Sequence, residues 1–320
     1  MTPELLIVVD TEEEFDWTRP FSRESVATRS IPAQARAHEV YDRLGIVPTY
    51  VVDHPVATDT EAVHFLRGLR DAGKAEIGAH LHPWVTPPHV EDVTTRNSYH
   101  CNLPPELERA KIAALTDAIE RSFGTRPTAF KAGRYGYGPN TGRALAELGY
   151  LVDCSFVPHT DLSGDGGPDF RGVPDKPHWL EYGLLEVPLT VGFLGAMPGL
   201  GEKAAWLFDS PGAERLHVPG VLARTGLVAR SRLSPEGTPA AEQCRLLEAM
   251  SRRGHRIFSL TYHSPSLEPG HTPYVRDAEG LARFLGDIEQ VLTFFRDKMG
   301  GRFTTLSGVY RDFAEKRIAA

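Results

Sequence analysis

Short, wholly apolar runs alternate along the chain with longer stretches in which apolar residues return every three or four positions. The first run, residues 5–9 (Leu-Leu-Ile-Val-Val), has no polar interruption, as expected of a strand covered on both faces. A helical stretch at 32–44, opened by Ser30 and Pro32 and closed by Gly45, leads to a second apolar run at 47–52. Residues 60–72 place Val63, Leu66 and Leu69 on one helical side, with Gly73 beyond, and lead to a run at 75–79. The alternation continues through a helix at 106–123, a strand at 128–131, a helix at 140–148, a strand at 150–154 and a further strand at 184–187. A helix at 240–252 precedes a strand at 255–262. Residues 277–299 carry the clearest stripe, Leu281, Phe284, Leu285, Ile288, Leu292 and Phe295, closed by Gly300 and Gly301. A last strand is expected at 303–306.

Strands that alternate with helices predict an α/β protein with a mainly parallel sheet. Seven or eight such units fit a distorted (β/α) barrel of seven to eight mainly parallel strands better than an open sheet. No GxGxxG follows the first strand, which weighs against a dinucleotide fold. The whole chain, 1–320, reads as a single domain with two departures. Residues 83–105, rich in Pro, Asn and Thr, are long enough to form a lid loop. Residues 192–237, rich in glycine, read as an insertion with one or two helices.

Polar residues gather where the strands end: Asp10 and Glu12, Asp53, His80 and His82, Arg134, Asp153, His263. In a β/α barrel those ends form one mouth. His80 and His82 stand one residue apart at a strand end, so both imidazoles share a face, and Pro83 biases His82 to extended backbone. Asp10 and Glu12 have the same spacing. Two imidazoles and a hard acid suit zinc or a similar divalent ion, and the other carboxylate can take a proton from water. His263 is a candidate general acid. Arg134, set among glycines, is a candidate for orienting a carboxylate or a developing oxyanion. Trp84 is a candidate pocket wall. Glu13 and Glu14 read as a solvated acidic loop. Gly133, Gly136 and Gly138 lack phosphate-loop spacing.

Charge and cysteine content narrow the setting. A net charge of −7 argues against general nucleic-acid binding, which needs a basic face. The three cysteines, Cys101, Cys154 and Cys244, form no CxxC pair and fit a reducing compartment. The apolar run at 5–9 has no basic segment before it and is too short for a signal peptide or membrane span. The expectation is a cytoplasmic protein without membrane insertion.

Five motifs in order resemble a known family: a strand ending in Asp-x-Glu (Asp10, Glu12), Glu-Ile-Gly-x-His (ending at His80), Phe-Lys-Ala-Gly-Arg-Tyr-Gly (130–136), Leu-Gly-Tyr-x-Val-Asp-x-Ser (148–155) and a strand ending in His263. This order resembles the polysaccharide deacetylases of the NodB-homology type, carbohydrate esterase family four, and within them the WalW-like branch associated with surface-polysaccharide genes. The likeness spans residues 5 to about 308. It implies metal-dependent removal of an N-acetyl group from a sugar, with zinc first and cobalt or nickel as alternatives. Asp10 matches the catalytic base, Glu12 and His80 metal ligands, and His263 the acid that protonates the leaving amine. Lys131 or Arg134 falls in the motif that supports the base. Tyr135, Asp153 and Ser155 fall in motifs expected at the substrate. The family's second metal histidine would stand at Trp84, so His82 is expected to replace it. The expected partner is a small sugar or a lipid- or nucleotide-linked sugar, a precursor of surface polysaccharide. Two other readings follow from the same residues: a metal-free sugar-binding or scaffolding relative, and an amidohydrolase acting on a non-sugar amide.

Overall fold

Strand β1 (Glu4–Thr11) is buried from end to end, and its two faces meet different surroundings. Leu5, Ile7 and Val9 pack outward into the large core shared with Tyr41, Leu66 and Ile112 of the helices. Leu6 and Val8 pack inward with Val51, Ala129, Val152 and Leu185. The structure, a computed structural model, describes residues 2–203, 205–215 and 218–318.

β1 lies between two parallel neighbours, β2 (Thr49–Val52) and β10 (Ile257–His263). Beyond β2 the sheet continues in parallel through β3 (Glu76–Leu81), β4 (Ala129–Ala132), β5 (Val152–Asp153) and β7 (Leu185–Glu186). It ends on the antiparallel β6 (His178–Trp179), and β11 (Arg302–Phe303) pairs with the start of β1. The result is a curled, mostly parallel half-barrel, as the strand–helix alternation predicts. Its end strands, β10 and β6, do not pair with one another among the described residues. β8 (Val191–Leu194) and β9 (Ala229–Arg232) form a separate antiparallel ribbon. Between them lie four short helices among the described residues, where one or two were expected.

Several helix ends follow the local chemistry. Asp59 and Asp277 cap the helices Thr60–Asp71 and Ala278–Asp297 by accepting from the backbone N–H three residues on. Gly45 and Gly124, both left-handed, close the helices Ala35–Leu44 and Pro105–Phe123. Ser30 is no cap: its backbone is already helical, and a 3-10 turn, Ile31–Gln34, follows it. The expected strand at 303–306 stops at Phe303, because Leu306 opens the helix Leu306–Ile318. Leu306 and Val309 of that helix cover the inner apolar face beneath the strands. No helix among the described residues is long and apolar enough to cross a membrane.

Residues 83–91, at the start of the expected lid, are fastened from beneath by the buried Lys111. Its ammonium donates to the carbonyls of Pro83, Thr86 and Pro88 at 2.8, 2.6 and 2.9 Å and pairs with Glu91 at 3.0 Å. All three ammonium protons thereby have backbone acceptors, and the path leaving Trp84 is fixed to the helix Pro105–Phe123.

Candidate functional site

The inward alternation of side chains changes character along each strand. On β1 it runs Leu6, Val8, Asp10; on β4 Ala129, Lys131; on β10 Ser259, Thr261, His263. On β3 it runs Gly78, His80, and His82 just beyond; a side chain at Gly78 would collide with Val51 and Ala129. Apolar or small residues thus fill the depth, and titratable ones crown the C-terminal ends. The parallel register sets Asp10 beside His263 and His80 beside Lys131.

Glu12, His80 and His82 converge on one point. Glu12 Oε2 lies 3.5 Å from Nε2 of each histidine. Zinc ligands about 2.0–2.1 Å from the ion in tetrahedral geometry stand about 3.4 Å apart, so this spacing fits a shared cation. Both rings have their Nδ1 atoms engaged elsewhere: His80 with the carbonyl of Lys131 at 3.1 Å, His82 with Glu13 Oε2 at 2.7 Å. Nδ1–H donation leaves each Nε2 lone pair turned toward Glu12. Glu12 Oε1 is buried without a hydrogen-bond partner. Burial pushes the Glu12 carboxyl up to about 7 against the lowering fields of His263 and His82. Burial, then the neighbouring cations, holds His80 well below the usual histidine range, as a neutral ligand requires. The donor set fits a divalent ion of the zinc type.

Glu13 does not belong to a solvated loop. It is fully buried and accepts from His82 Nδ1 and, through Oε1, from the Trp84 indole N–H at 2.8 Å. Behind it lies Asp53, whose Oδ2 accepts from the Glu13 backbone N–H at 2.7 Å. Burial raises Glu13 to about 8 and raises Asp53 well above the usual carboxylate range, further raised by Glu13 itself. Glu13 thus accepts from both His82 and Trp84, while the two oxygens of Asp53 accept from the backbone N–H groups of Glu13 and Val56. Trp84, in the position where a second metal histidine was looked for, instead stacks on His82 with ring centres 4.3 Å apart.

Asp10 is held by Lys131. The ammonium reaches both carboxylate oxygens, at 2.6 and 2.7 Å, and also Thr261 Oγ1 at 3.1 Å. Of the two residues expected to support the base, Lys131 on the inward face of β4 is the one that reaches Asp10, whereas Arg134 lies beyond the strand and does not bond it. Arg134 bonds Ser98 Oγ at 2.6 Å and Asp165 at 2.9 Å, over the ring of Tyr99. Arg134 and Tyr135 are consecutive non-glycine residues with φ of 50° and 61°. That costly turn throws both side chains into the cleft. Gly133 just before them has no room for a side chain, because Leu81 and His82 press against it.

His263 Nε2 lies 3.7 Å from Asp10 Oδ2, and its Nδ1 lies 2.7 Å from Glu236 Oε2. Burial alone would lower its pKa, but the carboxylates of Glu236, Glu12 and Asp10 outweigh it and raise His263 well above the usual range. Glu236 follows β9 and was not singled out in the sequence. The only local signal is its place in the turn Ser-Pro-Glu-Gly.

These groups open into a cleft of about 380 Å³ whose walls include Phe15, Trp17, Trp84, Tyr99 and Tyr135. Asp153 and Ser155, expected at the substrate, lie outside it. Both are fully buried; Ser155 donates to Asp153 at 2.7 Å and accepts from the Ala132 N–H at 2.8 Å. They brace β5 against the end of β4: Val152 and Cys154 take the inward face with Leu6 and Val8, so Asp153 and Ser155 fall on the opposite, helix-facing side.

No family model matches the chain, and no curated protein matches its sequence. Solved structures do match its shape. A Mycobacterium smegmatis protein classed with the polysaccharide deacetylases is 16% identical, with TM-score 0.56, over 99% of this chain and 92% of that one. Puue allantoinase is 15% identical, with TM-score 0.55, over 96% and 89%. A GH57 branching enzyme from Thermococcus kodakaraensis is 14% identical, with TM-score 0.54, over 96% and 70%. At these identities the likeness is one of fold: the chain shares the curled, mostly parallel barrel seen in all three of these structures.

Proposed function

We propose that the chain is a divalent-metal-dependent hydrolase that removes the acetyl group from an N-acetylated sugar. The observation that carries this reading is the convergence of Glu12 and two histidine Nε2 lone pairs beside an acid–base pair, Asp10 and His263, set 3.7 Å apart. Glu12, His80 and His82 would hold the ion. When bound, a divalent ion polarises an acyl carbonyl and acidifies water. Lys131 keeps Asp10 fixed to accept the water proton. His263, kept charged by Glu236, donates to the departing nitrogen as the C–N bond breaks, giving acetate and a free amine. Phe15 and Trp17 offer flat apolar faces for a sugar ring, while Trp84, sandwiched between His82 and Phe21, backs the metal ligands instead.

Zinc is the proposed metal, since two imidazoles and one carboxylate form a common catalytic zinc set. The likeness of the motifs to the WalW-like branch supports a precursor of surface polysaccharide as substrate. The three unpaired cysteines support a cytoplasmic location. A non-sugar amide is the second reading, favoured by the similar fold likeness to an allantoinase.

Purified protein loaded with zinc, cobalt or nickel decides the matter. Near-stoichiometric metal that falls in His80→Ala and His82→Ala, with acetate released from an N-acetyl sugar, is the expected result. Silence across a panel of N-acetyl sugars alongside hydrolysis of another amide would favour the second reading. Absence of metal binding would remove the hydrolase reading.

A further inference from the structure

Three arginines line the cleft, and two of them are already engaged. Arg19 pairs with Asp16 at 3.1 Å. Arg134 is held by Ser98 and Asp165. Arg232 is exposed and has neither a carboxylate nor a hydrogen-bond partner for its side chain among the described residues. Its neighbour on the same face of β9 makes the contrast. Arg230 places its fork on both oxygens of Asp209, each at 2.7 Å, and reaches the His159 carbonyl at 2.8 Å.

The position of Arg232 is specific. Its backbone is fixed in the ribbon opposite Val191. Besides the cleft, it lines the small adjoining recess formed with Tyr135, Glu236, His263 and Tyr274. Neither His80 nor His82 touches that recess. Arg232 therefore stands on the His263 side, where the amine departs, and not on the side of the metal ligands. Trp17 meets both His263 and Tyr274 edge-on, at 5.0 and 5.9 Å, and completes an aromatic corner there. A sugar ring against Trp17 would present its other substituents to Arg232.

We infer that Arg232 recognises an anionic group on the sugar that bears the amide, and that the substrate is an acidic N-acylated sugar rather than a neutral one. This rests on the proposed deacetylase reading. A guanidinium fork matches the planar oxygens of a carboxylate or the oxygens of a phosphate. Asp10, Asp16 and Asp165 of the cleft are already paired with Lys131, Arg19 and Arg134, so Arg232 is the arginine of the lining whose fork is left for an anion among the described residues. The shared chemistry is an oxyanion, from a sugar phosphate, a nucleotide-linked sugar or a uronic acid.

The test uses the zinc-loaded full chain with four substrates: N-acetylglucosamine, its 1-phosphate, its UDP conjugate and its uronic acid. The ratio of kcat/KM for each anionic sugar to that for the neutral one is measured in wild type, Arg232→Ala and Arg232→Lys. The expected wild-type ratio exceeds ten. It falls about ten- to hundredfold in Arg232→Ala and recovers in part in Arg232→Lys, since bonds to charged groups are worth that factor. Which of the three acidic sugars leads identifies the source of the oxyanion. A wild-type ratio near one, or a ratio that survives Arg232→Ala, overturns the inference. Calorimetric binding of glucosamine 1-phosphate against glucosamine is read in parallel. If no sugar is deacetylated, the hydrolase reading fails, yet loss of phosphate-sugar binding in Arg232→Ala still upholds Arg232 as the anion site, and its retention still refutes it.

Discussion

Glu13 and His82 are 69 residues apart in the chain and 2.7 Å apart in space, both buried, with the carboxylate on Nδ1 and the other ring nitrogen turned toward Glu12. A histidine anchored this way has one tautomer and one orientation, which suits His82 to the proposed role of second metal ligand two residues after His80. Glu13→Gln is therefore expected to weaken zinc binding about ten- to hundredfold, as loss of such outer partners does. Competition with a chromophoric chelator measures it. Unchanged affinity would mean that His82 needs no carboxylate behind it.

Lys131 and Asp10 form a pair that neither partner can leave cheaply. Both are buried, and the field of Asp10 keeps Lys131 charged although burial opposes it. Lys131→Met would strand the Asp10 carboxylate, at a cost of about 3–5 kcal/mol. Urea denaturation should show that loss, and deacetylation should fall while metal content is retained. A variant of wild-type stability with full activity would show that Asp10 is supported otherwise.

The pH profile should carry the signature of Glu236. With His263 as the proposed acid and its pKa raised, activity is expected to hold below that raised value and to be lost as pH climbs through it. In Glu236→Gln the nearest of the raising charges is gone. The alkaline limb of kcat should then move to lower pH, with activity at the acidic end of the plateau less affected. A limb that stays in place would assign it to another group.

Gly133 is the tightest point of the Ala-Gly-Arg-Tyr turn. A methyl group there meets the His82 ring and the Leu81 carbonyl; the carbonyl is backbone, so the ring is the part that must give way. Gly133→Ala is expected to displace His82 and lower metal content at little cost to global stability. Metal analysis beside thermal unfolding separates that outcome from general destabilisation.

Much of this centre was legible because strand alternation is a local property. Asp10 and Glu12 sit in step with Leu6 and Val8, and His80 and His82 in step with Gly78, so spacing alone places them on the inner face. Lys131 was legible in the same way, in step with Ala129. A lysine inside Ala-Phe-Lys-Ala is an anomaly worth more weight than Arg134, which stands in a turn. Glu13 and Glu236 were not legible. Glu13 sits in a run of three glutamates that looks solvated, and its burial depends on Trp84 and Asp53 arriving from other strands. Glu236 occupies a short turn, and its meaning depends on His263, 27 residues later. The terminal helix, Leu306–Ile318, was missed because only Leu306 and Val309 are buried in it.

The inward step of side chains on β1 has a consequence for how the chain can vary. Removing one residue within residues 4–9 would shift the phase, turning Val9 and Thr11 into the mouth and Asp10 and Glu12 into the helix layer. The three strands that pair with β1 would still be in place, and the proposed metal and acid–base groups would be gone from the mouth. Loops above the mouth can lengthen or shorten without that penalty, so inherited changes in substrate choice should accumulate in the segments around Trp17, Tyr99 and Arg232 while the spacing between Leu6 and Glu12 stays constant to the residue.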